Sequence, residues 1–143
     1  MRDIKFRAYI KDTNKRVPSE INKIVEVKSL HLGSRKAIIG YSKSSSNYGN
    51  YSISFDDIEL MQYTGLHDKN GEEIYEGDIV YVASEDENAF ILWDKETARY
   101  IIQFKGWCAD FDNYYGKELE VIGNIYDNKD LLEKGAEEWY MDI

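Results

Sequence analysis

Cysteine, proline and histidine are all scarce in this chain of 143 residues. Each scarcity excludes something. The one cysteine, Cys108, cannot form a disulfide within the chain, so oxidation does not staple the fold and a reducing cytoplasm is the expected compartment. The two histidines, His31 and His67, lie far apart and away from Cys108. No Cys-x-x-Cys or His-x-x-x-His spacing occurs, so neither a structural zinc nor any other metal or cofactor is expected. No apolar run approaches the length of a membrane span, and no apolar core follows the first basic residues as it would in a signal peptide. There is no Gly-x-Ser-x-Gly and no phosphate-binding Gly-x-x-x-x-Gly-Lys-Ser/Thr. A non-enzymatic role is therefore expected.

Abundance points the other way. The chain carries 12 tyrosines against a single proline. Aromatic and β-branched residues fit a pleated, half-buried surface, which favours strands. Residues 4–10 alternate cleanly, with Ile4, Phe6, Ala8 and Ile10 on one face and Lys5, Arg7 and Tyr9 on the other. Further strands are expected over 23–30, 36–41, 51–55, 58–63, 78–82 and 119–126, and residues 89–93 and 100–104 read as a hairpin. Residues 42–50, SKSSSNYGN, are too polar to pack and read as a mobile loop. Residues 106–117 read as irregular. Asp127 resembles the cap of a short terminal helix through Leu131 and Leu132, and residues 136–141 could add another turn. The expected fold is mainly β with minor α, with short strands rolled into a small barrel that hides its edges.

The net charge of −9 is unevenly spread. Residues 1–60 carry 11 Lys/Arg against 7 Asp/Glu, and residues 61–143 carry 7 against 20. A phosphate backbone is held by clustered cations. Nucleic-acid binding, the alternative function, would have to rest on Arg2, Lys5, Arg7, Lys11, Lys15 and Arg16. The same asymmetry allows a homo-oligomer in which the basic half of one subunit meets the acidic half of the next.

Three acidic features have ordinary readings. Asp68-x-Asn70 begins like a calcium loop, but Glu73 stands where that loop needs glycine, and the Asn70-Gly71 pair by itself explains a turn. Glu72, Glu73, Glu76 and Asp78 crowd one segment and read as a solvated loop, not as a catalytic carboxylate pair. Cys108, flanked by Trp107 and Ala109, reads as a small buried hydrophobe. The most suggestive residues are Trp107, Phe111, Tyr114 and Tyr115, interleaved with Asp110, Asp112 and Asn113. Such loops bind peptides or stack on bases, or fold back as a plug of core; the surrounding acids favour a protein partner over a base.

Three segments together carry a family resemblance: IKFRA at residues 4–8, MQYTGLHDKNGEEIYEGDIV at 61–80 and EVIGNIYDNKDLL at 120–132. In this order they resemble the YopX family of bacteriophage and prophage proteins. Residues 11–55 match only loosely. Tyr9 stands where the family often has Trp, His67 where it has Lys, and Lys129 where it has Pro. The resemblance implies an amino-terminal β region over 1–60 and, over 61–143, a part similar to SH3-like barrels with a terminal helix. It also implies a bacterial host cell. It hands over no catalytic residue, cofactor or ligand, because a fold hosts many functions. The expectation is an accessory protein acting through contacts with an unknown protein partner.

Overall fold

The alternation at the amino terminus becomes strand β1 (Phe6–Ile10), whose Ala8 and Ile10 are buried while Ile4 lies exposed before it. The computed structural model describes residues 1–12, 14, 17, 22–44 and 47–132, with the side chains of 41–44, 47 and 48 left aside. The chain divides into two compact units, one of residues Asp3–Gln62 and one of Met1–Arg2 with Tyr63–Ile143. The sequence reading divides it at residue 60.

In the first unit, β1 pairs antiparallel with β2 (Ile24–His31) on one side and with the start of β5 (Ile58–His67) on the other. Beyond β2 lie β3 (Lys36–Ser44) and β4 (Asn47–Ser54). Ala8, Ile10, Val25, Ala37, Ile39, Ile53 and Ile58 form the core. Their period of two aims one side chain per pair inward. A bulge between Val27 and Ser29 shifts the register of β2 against β3. The expected mobile loop at 42–50 is corrected where the structure describes it: Ser42 pairs with Tyr48 and Ser44 with Asn47, so residues 42–44 and 47–50 belong to strands β3 and β4. Ladder hydrogen bonds belong to the backbone, and a polar sequence can make them without packing.

The second unit begins within β5. Tyr63 and His67 face Tyr75 and Glu73 of β6 (Glu73–Tyr75). A five-stranded antiparallel sheet follows, ordered β10-β9-β8-β7-β11. Its strands are β7 (Asp78–Val82), β8 (Glu87–Asp94), β9 (Arg99–Phe104), β10 (Trp107–Asp110) and β11 (Leu119–Asn124). Both faces of the sheet carry apolar residues. Ile74, Val80, Val82, Ala89, Ile91, Ile102, Phe104, Phe111 and Leu119 cluster on one, and Ile79, Phe90, Leu92 and Ile101 on the other. Burying each side chain of this size contributes about 1.5–3 kcal/mol.

The architecture is mainly β, with two antiparallel sheets left open. Strand β10 was not expected. It is four residues long and is made by the Lys105-Gly106 turn, where Gly106 takes φ +77° and brings Trp107 opposite Phe104. The helical expectation is corrected where the structure describes it. Lys129–Leu131 form one 3₁₀ turn, and the capping position is Asn128, not Asp127. Asn128 makes no cap hydrogen bond and instead accepts from the Asn124 N–H at 3.1 Å. The expected turn at 136–141 lies outside the described residues. No helix among the described residues is long and apolar enough to cross a membrane.

Candidate partner-binding face

The acidic turn at 68–78 has to be placed first, because its carboxylates decide what chemistry it can do. Asp68 is 5% exposed and Asp78 1%, so two of these acids are buried, not solvated. The Asp68 carboxylate accepts the Asn70 N–H at 2.8 Å, the Glu72 N–H at 2.9 Å and, from 53 residues away, the Val121 N–H at 2.9 Å. The Lys69 N–H donates to the Leu119 carbonyl at 3.0 Å. The turn thus covers the free edge of β11, the place where unpaired backbone would otherwise invite another strand. Burial alone would raise the Asp68 pKa, but the N–H groups of Val121, Glu72 and Asn70 together hold it below the usual carboxylate value. Asp78 accepts the Tyr75 N–H at 2.7 Å. Gly71 and Gly77 sit at φ +83° and +86°, and Gly77 bonds both Ile91 and Ile125 through its backbone. These residues bend and clamp backbone. Among the described residues, no group of three or more His, Cys, Asp or Glu is placed to hold a metal.

The four aromatic candidates divide. Phe111 is core: it is 6% exposed and packs edge-on to Tyr100 with centroids 6.3 Å apart. Tyr114 is half-buried against the same cluster, and its hydroxyl donates to Glu85 Oε1 at 3.2 Å. Burial, with Glu85 beside it, raises the Tyr114 pKa. Trp107 lies flat on the fully buried Phe104, with rings 4.0 Å apart and 3° from parallel, yet stays 39% exposed. Tyr115 is 72% exposed. Its backbone is nonetheless fixed, because its N–H donates to Glu118 Oε2 and its carbonyl accepts from the Glu118 N–H, both at 2.9 Å. Lys117 Nζ stands 5.7 Å from the Tyr115 ring. Gly116 next to it approaches the His67 backbone so closely that a Cβ would collide with the carbonyl oxygen.

Sequence reasoning missed Trp93, which is 43% exposed and packs T-shaped on Tyr100 at 5.1 Å. The strand alternation held the signal, since Trp93 and Tyr100 are cross-strand partners. A cleft of about 220 Å³ opens beside Tyr100, lined by Arg99, Asp110, Phe111 and Asp112. Burial raises the Tyr100 pKa, as does the charge of Glu76, while Arg2 lowers it. Cys108 is exposed, which corrects the buried reading: it alternates with Trp107 and Ala109 along β10, and Ala109 is the one that packs against the core.

The family model described as YopX protein matches residues 5–133. The chain belongs to the YopX family. A crystal structure of protein EF1440 from Enterococcus faecalis is similar to it at 27% identity, with a TM-score of 0.57, over 93% of this chain and 100% of that one. No curated protein matches. Within this YopX-family chain, two of the three segments that carried the resemblance clamp the second unit, and the third, residues 4–8, lies in the first. Asp68 from the central segment holds Val121 from the last, and Gly77 holds Ile125.

Proposed function

We propose that this YopX-family chain is a phage or prophage accessory protein that acts without catalysis, in the cytoplasm of a bacterial host, by binding another protein. The observation that carries this reading is Trp107. It is anchored flat on a buried ring and still presents 39% of its surface. Tryptophan and tyrosine dominate binding hot spots because they bring a large, rigid apolar area at low entropic cost. Trp93 and Tyr115 add exposed aromatic area on the same unit, each with its backbone fixed. We read this unit as an SH3-like module, on the strength of five short antiparallel strands in the order β10-β9-β8-β7-β11. The non-catalytic reading is supported by the two buried carboxylates, Asp68 and Asp78, which accept from backbone N–H groups.

Nucleic-acid binding by the basic half is the weaker reading. Of the cations on which it would rest, Lys11 pairs with Glu59 at 3.3 Å, and the chain as a whole carries a net charge of −9, which repels a phosphate backbone.

The test is capture from bacteria expressing the phage genes, with the native chain and a Trp107→Ala/Tyr115→Ala variant as baits. A partner held by the native chain and lost from a variant with unchanged melting temperature supports the reading. A partner held equally by both overturns it.

A further inference from the structure

The cleft beside Tyr100 has a definite chemical character. Its aromatic lining is Tyr100, half-buried, and Phe111, buried. Arg99 and Asp110 stand at its rim as an ion pair, 2.9 Å apart. Asp112 also lines it, exposed and with no hydrogen bond or ion pair to any other described residue. One cation therefore faces two carboxylates, and Asp110 already holds that cation. About 220 Å³ accommodates one side chain, not a drug-sized ligand.

We propose that this cleft takes a lysine or arginine side chain from a basic segment of a partner protein, an inference that rests on the protein-contact reading. A cation there lies against the Tyr100 ring and is attracted by its quadrupole, while Asp112 accepts its N–H groups. An apolar side chain would cover Asp112 and the Arg99–Asp110 pair without giving Asp112 a partner. An acidic or phosphorylated group would meet Asp112 and a half-chain with 20 Asp/Glu against 7 Lys/Arg. That field steers a basic segment toward the cleft. A second copy of this chain fits less well, because it carries 27 Asp/Glu against 18 Lys/Arg and would bring a second net negative charge to the cleft.

The experiment is an NMR titration of the ¹⁵N-labelled full chain with capped tetra-arginine, tetra-lysine and tetra-glutamate peptides. Saturable shifts at Tyr100 and residues 110–112 are expected with the basic peptides and none with the acidic one. Asp112→Asn and Tyr100→Leu should each weaken binding roughly fivefold. Glu72→Gln, an equal charge change at an exposed site outside the cleft, should leave binding unchanged. Equal weakening by Asp112→Asn and Glu72→Gln overturns the proposal, since only the general field would then be at work. So do shifts that never saturate. A native chain that self-associates, with Asp112→Asn dissociating it, also overturns it by making a second copy the occupant. Capture with Asp112→Asn as bait separates this inference from the wider reading. If the partner stays with Asp112→Asn but leaves Trp107→Ala/Tyr115→Ala, the cleft proposal falls and the protein-contact reading stands. If it stays with both, both fall.

Discussion

The two units hold their loops in different ways. In the second, the turn at 68–72 is tied to β11 through one buried carboxylate that accepts three backbone N–H groups. In the first, the turns are tied by backbone hydrogen bonds, such as the Phe55 N–H to the Arg35 carbonyl at 2.9 Å, and by surface ion pairs such as Arg35–Asp56 and Lys23–Asp12, with no buried carboxylate among the described residues. A buried carboxylate has to keep every partner, because its desolvation is offset only while its hydrogen bonds are made. An exposed pair can be lost to water at little cost. Residues that clamp buried backbone tolerate few replacements, and residues that decorate a solvated ladder tolerate many.

The sharpest way to break the comparison is to remove the clamp. Asp68→Ala abolishes three hydrogen bonds to an ionised acceptor and leaves part-buried N–H groups unpartnered, a loss on the order of 3–5 kcal/mol. Urea unfolding should show it as a lower midpoint with an unchanged slope. A loss below 1 kcal/mol would place the clamp on the same footing as the surface pairs. Gly116→Ala should come next, at about 2–3 kcal/mol, because its methyl group collides with the His67 carbonyl and backbone must move apart.

Acidity tests the same carboxylate without changing its shape. The Asp68 pKa is held below its ordinary value, so its contribution is complete above about pH 4 and is lost as pH falls through the folded-state pKa. In Asp68→Asn the amide cannot accept from all three N–H groups and has no proton to gain. The stability gap between native chain and variant should therefore be constant from pH 7 to 5 and narrow below about pH 4. Paired urea titrations at pH 7, 5, 4 and 3 measure it. A gap that widens in acid would contradict the sign.

Much of this contrast was legible in the sequence, but unevenly. Period-two alternation placed β1, which buries Ala8 and Ile10 on one face, and continuous apolar runs placed the β8–β9 hairpin, whose two faces both carry core. The Asn70-Gly71 turn was legible because positive φ selects glycine. What could not be read was partnership across distance. Nothing in residues 68–72 announces that Asp68 reaches Val121, so its segment reads as an ordinary Asn-Gly turn, and Asp78 reads as part of a solvated acidic loop although it is buried. The strand residues 42–44 and 47–50 and strand β10 were missed for a related reason: backbone ladders need no apolar side chains, and pattern reading sees only side chains. Among the aromatic candidates, composition could not separate Phe111 from Trp107, since the split depends on which residue follows the β10 pleat and which ends it.

The smallest effect belongs to the first unit, and it completes the contrast. Arg35 reaches Asp56 at 3.3 Å, with both side chains mostly in water, and its guanidinium lies 5.8 Å from the Phe55 ring. Arg35 also has positive φ, 55°, at the turn before β3. Arg35→Ala removes the pair and the ring contact together and should cost no more than about 1 kcal/mol, with the pair's share vanishing in molar salt. Arg35→Gly removes the same contacts but relieves the backbone strain, so it should be at least as stable as the alanine variant. Thermal melts of both at low and high salt decide the matter. If the alanine variant cost as much as Asp68→Ala, surface pairs would be clamping this unit, and the distinction between the two halves of the chain would fail.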